Sequence, residues 1–340
     1  MRLEAPAFWY RAGASPAGAL LGPLGALYGA VVAWKTARAA PQKAPLPVVC
    51  VGNLTLGGTG KTPVALALAR RLAAQGRRPV FLTRGYGGRA RGPLIVDAGA
   101  MDAREAGDEA LLLARAGPCV LSRDRLAGAR LAAGLGDVVV MDDGHQNLRL
   151  EKDLSLLVVD AEAGFGNGRV FPAGPLRERV DRGLARADAV ILMGEGAGPP
   201  LPGFAGSILR ARLEPTEAAR RLKGARLVAF AGIGRPGKAF ATLEALGAVL
   251  VARHALPDHA VPGEAFLRRL AGEAERVGAR LVTTQKDAAR LSPDWRARVE
   301  SFAVEARFAD EAALEALLAR VPGLRERGLQ SAGDAIKPAI

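Results

Sequence analysis

From Leu46 onward, short apolar runs alternate with segments whose apolar positions recur at helical spacing. The runs Pro47–Gly52, Pro79–Thr83, Cys119–Ser122, Val138–Asp142, Leu154–Asp160 and Ala189–Met193 predict strands. Helical patterns fall between several of them, and this βαβ rhythm predicts an α/β fold with a mostly parallel, doubly wound sheet. The stretch Gly194 to Gly206 is rich in Gly and Pro and marks a boundary. Beyond it Arg226–Ile233, Ala248–His254, Arg280–Thr284 and Ser301–Arg307 alternate with helices, predicting a second, smaller α/β unit. The pattern divides the chain into 1–45, 46–200, 201–325 and a polar tail at 326–340.

The N-terminal segment breaks that rhythm. Between Ala12 and Trp34 no residue is charged, and Leu20, Leu24, Leu27, Tyr28 and Val31 recur at helical spacing. The opposite positions, Gly18, Gly22, Gly25, Gly29 and Ala33, are small. Phe8, Trp9, Tyr10 and Trp34 bracket the stretch, and Lys35, Arg38 and Lys43 follow it. Its length approaches the roughly 20 residues of a membrane span. Pro16, Pro23 and the glycines make it a poor span, and the cleavage pattern of a signal peptide is missing. The segment reads as a helix at a membrane interface, with aromatics at headgroup depth and cations on anionic lipid. A helix packed on the protein body is the alternative.

The strongest chemical signal lies where the first strand ends. Val48-Val49-Cys50-Val51-Gly52-Asn53-Leu54 runs into Thr55-Leu56-Gly57-Gly58-Thr59-Gly60-Lys61-Thr62, and a helical pattern follows from Val64 to Leu72. Strand, glycine-rich turn and helix in that order are the context of a phosphate-binding P-loop. Backbone N–H groups freed by the glycines converge on phosphate oxygens, and the helix N-terminus adds partial positive charge. Lys61 is the cation for the β- and γ-phosphates, and the Thr62 hydroxyl is a ligand for Mg²⁺. Pro63 suits a first helical turn, where its missing N–H is not needed. Thr55 stands where the motif usually has its first glycine, and Gly57-Gly58 supply the freedom instead.

The 340-residue chain is long enough for two domains, and its net charge of +13 favours anionic partners. Its arginines are scattered rather than run together, and no aromatic–basic interleaving is present, which argues against nucleic acid. Cys50 and Cys119 lie in apolar runs, so neither a disulfide framework nor a zinc spacing exists.

Two acidic stretches add to the P-loop. Asp142 ends the run Val138-Val139-Val140-Met141, where a carboxylate aligned beside the P-loop would hold Mg²⁺ directly or through water. Gly107-Asp108-Glu109 opens a helix over Ala110–Ala116; a carboxylate there complements the helix dipole, or approaches the γ-phosphate. Of the three histidines, His259 follows Leu256-Pro257-Asp258 in a loop that would line a cleft between domains.

Taken together, several stretches resemble the tetraacyldisaccharide 4′-kinases of lipid A biosynthesis. They include Pro6-Ala7-Phe8-Trp9-Tyr10, the P-loop, Thr83-Arg84-Gly85-Tyr86, Gly107-Asp108-Glu109, Ser122-Arg123-Asp124-Arg125 and Asp142-Asp143-Gly144. Gly164-Phe165-Gly166-Asn167-Gly168, Pro172-Ala173-Gly174-Pro175-Leu176-Arg177-Glu178, Phe230-Ala231-Gly232-Ile233-Gly234 and Asp258-His259 complete the set, in order along nearly the whole chain. The resemblance implies a peripheral enzyme on the cytoplasmic face of the bacterial inner membrane. It would use ATP and Mg²⁺ to phosphorylate the 4′-hydroxyl of an acylated disaccharide 1-phosphate lipid. Carried onto matching positions, it makes Asp108 and His259 a catalytic dyad and assigns Asp142 and Asp143 to metal and phosphates. Arg177, Arg123 and Tyr86 would lie near the transferred phosphoryl group or the sugar. The sequence departs from the family pattern at His145, Asn147 and Gln285.

Other P-loop classes fit less well. A GTPase would separate Lys286 and Asp287 by one residue, and a partitioning switch would carry lysine where Leu56 precedes Gly57-Gly58. A membrane-associated nucleotide switch or chaperone without kinase activity is the remaining alternative.

Overall fold

The computed structural model describes residues 6–11, 13 and 15–324, so the expected polar tail lies outside the described residues. In chain order its strands are Val48–Gly52 (β1), Pro79–Thr83 (β2), Leu94–Ile95 (β3), Cys119–Leu121 (β4), Val138–Asp142 (β5), Leu154–Asp160 (β6), Ala189–Met193 (β7), Ser207–Pro215 (β8), Arg226–Ala231 (β9), Val249–Ala255 (β10), Arg280–Thr284 (β11), Glu300–Phe302 (β12) and Val304–Phe308 (β13). Among the described residues they form a nine-stranded sheet, β13-β8-β7-β6-β1-β5-β2-β4-β3, and a four-stranded sheet, β10-β9-β11-β12. Pairing is parallel except at the two edges of the large sheet, β13–β8 and β3–β4.

The large sheet is covered on both faces, which is why its central strands read as unbroken apolar runs. Alternate residues of β1 face opposite ways. Val49 and Val51 share a core with Val64, Leu68 and Leu72 of the helix Lys61–Ala74, while Val48 and Cys50 join Leu126 and Ala129 on the other side. Both cysteines are buried and free, as their positions in strands imply. Parallel strands bring the ends of β6, β1, β5 and β2 to one edge, where an open α/β sheet places its ligands. The register sets Val51 beside Asp142.

Two expectations change. The single strand expected over Ser301–Arg307 is broken at Ala303: β12 closes the small sheet beside β11, and β13 returns to pair with β8. Leu314, Leu317 and Leu318, on the helix Glu311–Leu318, are buried in the same core as Leu68. The two sheets therefore do not divide the chain at 200/201. The small sheet is an insertion, and the chain on both sides of it belongs to the large one. Strand β8 escapes an apolar-run search because only its Leu209 and Ala211 point inward, with Arg210, Arg212 and Glu214 between and beyond them.

The N-terminal segment forms two helices, Pro16–Leu20 and Gly22–Ala37. Its small face lies on the body: a Cβ on Gly25 would stand 2.7 Å from the Val170 carbonyl, and Gly29 faces the Val170 methyls. The opposite face points away, with Leu20, Leu24, Leu27 and Trp34 exposed at 81%, 56%, 64% and 57%. Ahead of it Trp9 is buried, donates to the Pro172 carbonyl at 3.1 Å, and meets Phe171 edge-on; Phe171 in turn meets Tyr28. Packing on the body and offering an apolar stripe are thus compatible, because they use opposite faces of one helix. No helix among the described residues is long and apolar enough to cross a membrane.

Candidate active site

The loop after β1 is strapped at its base. Leu56 N–H donates to the Pro175 carbonyl at 2.8 Å and Arg177 N–H to the Leu54 carbonyl at 2.7 Å, so Thr55 pairs with Leu176. Gly57 and Gly58 remain exposed. Gly60, at φ 89°, makes the left-handed step that starts the helix at Lys61. Lys61 Nζ lies 3.7 Å from Asp143 Oδ1, to which Arg177 Nη1 donates at 2.8 Å. Burial works against the Asp143 charge, but Lys61 and Arg177 together hold its carboxyl well below the ordinary carboxylate range.

Its neighbour is not so provided for. Thr62 Oγ1 donates to Asp142 Oδ2 at 3.1 Å, whereas buried Asp142 Oδ1 has no hydrogen-bond partner. Burial, then the nearby Glu109 charge, push the Asp142 carboxyl up to about 7 against the pull of Lys61. A hydroxyl and an unpartnered carboxylate oxygen, beside a phosphate-binding loop, are hard oxygen donors suited to Mg²⁺. Thr62 and Asp142 supply such donors side by side. Asp143, by contrast, is already paired with Lys61 and Arg177.

A second corner lies along the same sheet edge. Gly107, at φ 87°, passes so close to Tyr86 that a Cβ would strike the Tyr86 carbonyl, and the helix Asp108–Ala114 starts one residue later. From the smaller unit, His259 adopts φ 58° and donates its N–H to the Gly232 carbonyl at 2.9 Å. The imidazole Nδ1 comes within 3.2 Å of Asp108 Oδ2, and the Tyr86 ring lies 5.6 Å from the imidazole. Lys286 Nζ donates to Glu109 Oε1 at 2.9 Å. Burial would raise the Asp108 carboxyl, yet His259, Lys286 and Arg290 hold it well below the ordinary range. Nearby, a Cβ on Gly234 would lie 3.2 Å from the backbone nitrogen of Gly58, so the smaller unit also touches the P-loop.

A family model described as tetraacyldisaccharide-1-P 4′-kinase matches residues 17–322. The chain belongs to the tetraacyldisaccharide 4′-kinase family. A tetraacyldisaccharide 4′-kinase of Rhodospirillum rubrum is 50% identical over 94% of this chain and 98% of that relative. Another, of Gluconacetobacter diazotrophicus, is 52% identical over 93% and 97%. The crystal structure of LpxK from Aquifex aeolicus in complex with ATP superposes with a TM-score of 0.73 at 28% identity, covering 89% of this chain and 98% of that one.

Within this member of the kinase family, the expected residues fall into two corners and one exception. Thr55, Gly57, Gly58, Thr59, Gly60, Lys61, Thr62, Asp142, Asp143 and Arg177 gather around the P-loop; Asp108, His259 and Tyr86 form the second corner. Arg123 is exposed on the loop ahead of the helix Arg125–Ala132. Arg125 is the buried arginine of that motif: it donates to the Ser122 carbonyl and feels Asp143, while burial pushes its guanidinium down to about 10. His145 is fully buried between Ser155 Oγ (3.2 Å) and the Gly183 carbonyl (3.0 Å), and burial pushes it down to about 3, so it is a neutral part of the core. Asn147 accepts from the N–H groups of Arg149 and Leu150 and shapes a turn. Arg290 went unnoticed in the sequence; its only signal was the spacing Asp287-x-x-Arg290, which puts the pair on one helical face.

Proposed function

We propose that this chain transfers the γ-phosphate of ATP to the 4′-hydroxyl of a tetraacyldisaccharide 1-phosphate, working from a membrane surface. The observation that carries this reading is the pairing of Asp108 with His259 from a different unit, on the sheet edge that holds Lys61 and Asp142. The loop Thr55–Thr62 receives the phosphates, with Lys61 against the β- and γ-positions. Thr62 and Asp142 would hold Mg²⁺, which when bound would neutralise phosphate charge. Asp108 orients the sugar hydroxyl and accepts its proton late, as a loose transition state requires, and His259 steadies the carboxylate. Arg177 and Tyr86 border the space for the acceptor; Arg123, exposed on its loop, would meet a phosphate or sugar only from the edge of the site.

The exposed stripe Leu20, Leu24, Leu27, Val31 and Trp34 supports a peripheral seat in one leaflet, the cytoplasmic face in a bacterium. Lys35, Lys43 and Arg38, whose guanidinium lies 4.5 Å from the Trp34 ring centre, sit where anionic headgroups would be. Val170 under that helix is a few residues from Arg177, so lipid and phosphate sites share one short segment. The direct test is ³²P transfer from ATP to purified tetraacyldisaccharide 1-phosphate, with the unacylated disaccharide as control. Label on the 4′-position of the lipid is the expected result; ATP hydrolysis without transfer would leave only a nucleotide switch.

A further inference from the structure

The guanidinium of Arg290 sits at the centre of the second corner, with only 3% of its side chain exposed. Its Nε donates to Asp108 Oδ2 at 2.8 Å, and Nη2 bonds the same oxygen. Nη1 donates to the Gly232 carbonyl and to Asp287 Oδ1, each at 2.8 Å. Asp287 is itself fixed, accepting from Thr284 Oγ1 at 2.6 Å and from Gly232 N–H at 3.1 Å. The Gly232 carbonyl also receives the His259 N–H. One arginine therefore ties the Asp108 carboxylate to the backbone that carries His259. An arginine suits this because its planar fork keeps its charge and reaches several acceptors in fixed geometry.

A second contact makes the role sharper. His259 Nδ1 lies 3.2 Å from an acceptor, Asp108 Oδ2, and 3.1 Å from a donor, Arg290 Nη2. A ring nitrogen serves only one of them at a time. With its proton on Nδ1, His259 donates to Asp108. With the proton on Nε2, Nδ1 accepts from Arg290, and Nε2 faces Asp258 Oδ1 at 3.8 Å. Arg290 thus competes with Asp108 for the same imidazole nitrogen while holding Asp108 in place.

We propose that Arg290 is the positioning residue of the Asp108–His259 pair, fixing the carboxylate and setting which nitrogen of His259 carries the proton. The proposal rests on the dyad reading given above. The groups that face Asp108 are Lys286, Arg290 and His259 from the smaller unit, with Glu109 beside it and Asp287 behind the guanidinium.

The test uses the full chain with Arg290→Met, Arg290→Lys and Asp108→Ala. It reads kcat and KM for ATP, ¹⁵N shifts of the His259 ring, and rescue by low-millimolar guanidinium. Arg290→Met is expected to lower kcat by about 10- to 100-fold, with KM for ATP within about threefold of the parent. With Arg290 no longer competing for Nδ1, the His259 ring shifts should move toward the Nδ1-protonated tautomer, and guanidinium should restore part of the lost rate. Arg290→Lys, which keeps charge without the fork, should fall between parent and Arg290→Met. If Arg290→Met does not fold, Arg290→Lys with the same ring shifts decides. Parent-like kcat in the Arg290 variants, or a loss with unmoved ring shifts and no rescue, overturns the assignment. Asp108→Ala separates the two readings: its loss beside an unimpaired Arg290 variant overturns Arg290 alone, whereas parent-like activity in Asp108→Ala removes the dyad itself.

Discussion

Asp142 and Asp108 are buried almost equally, at 1% and 4% exposed, yet their surroundings treat the charge in opposite ways. Asp108 is met by Arg290, His259 and nearby Lys286, and its carboxyl is held low. Asp142 has Thr62 on one oxygen and nothing on the other, with Glu109 and Asp143 close by, and it is pushed up to about 7. A buried carboxylate keeps its charge only where something compensates it. At the second corner the chain supplies the compensation from its own smaller unit. At the P-loop corner one oxygen of the carboxylate is left without a partner from the chain, as the proposed seat of Mg²⁺ requires. In the proposed mechanism the P-loop corner serves binding and the second corner serves orientation.

This contrast is open to measurement. The largest effect is expected from Lys61→Ala, which removes the phosphate cation and should lower kcat/KM by about 10³-fold or more while weakening ATP binding. Kinase activity within a few-fold of the parent would break the P-loop half of the comparison. Asp108→Ala should cost about 10²–10⁴-fold in kcat with ATP affinity within about threefold, because the second corner orients and does not hold nucleotide. His259→Ala should cost less, and the double variant should be barely worse than Asp108→Ala alone; losses that multiply would mean two independent roles.

A smaller effect concerns the metal. Mg²⁺ should raise the Tm of the parent by binding the folded state, and this shift should vanish in Asp142→Asn but survive in Asp108→Asn. A shift that survives in Asp142→Asn would place the ion elsewhere. The mildest change should follow Leu24→Ser with Leu27→Ser, since both side chains are exposed. Sedimentation with anionic liposomes should weaken by about tenfold, while soluble ATP binding stays as it was. Undiminished liposome binding would leave the exposed stripe without a role in membrane contact.

Much of this molecule was legible in order along the chain. The strands Pro79–Thr83, Val138–Asp142, Leu154–Asp160, Ala189–Met193 and Arg280–Thr284 have the ends their apolar runs predict, because a strand buried on both faces reads as a nearly continuous apolar run. The P-loop was legible for a related reason: strand, glycines and helix are contiguous, so the site is almost complete within fifteen residues of backbone geometry. Asp142 was legible as a carboxylate closing such a run.

What lay beyond the sequence is whatever depends on residues far apart. Whether Ser301–Arg307 was one strand or two depended on two sheets competing for it, and only their edges decided that Ala303 would be the break. Arg123 stays exposed on the loop ahead of a short helix, and the burial of Arg125 follows from which face of that helix met the sheet. The N-terminal helix could be read as amphipathic, but the choice of its glycine face for the body needed the Val170 carbonyl to be there. Arg290 stands 182 positions from Asp108, and no local pattern links them. The sequence by itself determined the strands, the phosphate loop and the types of residue available to it. The tertiary structure decided which charges are compensated, because that depends on distance through space and on exclusion of water, neither of which is written in the order of residues.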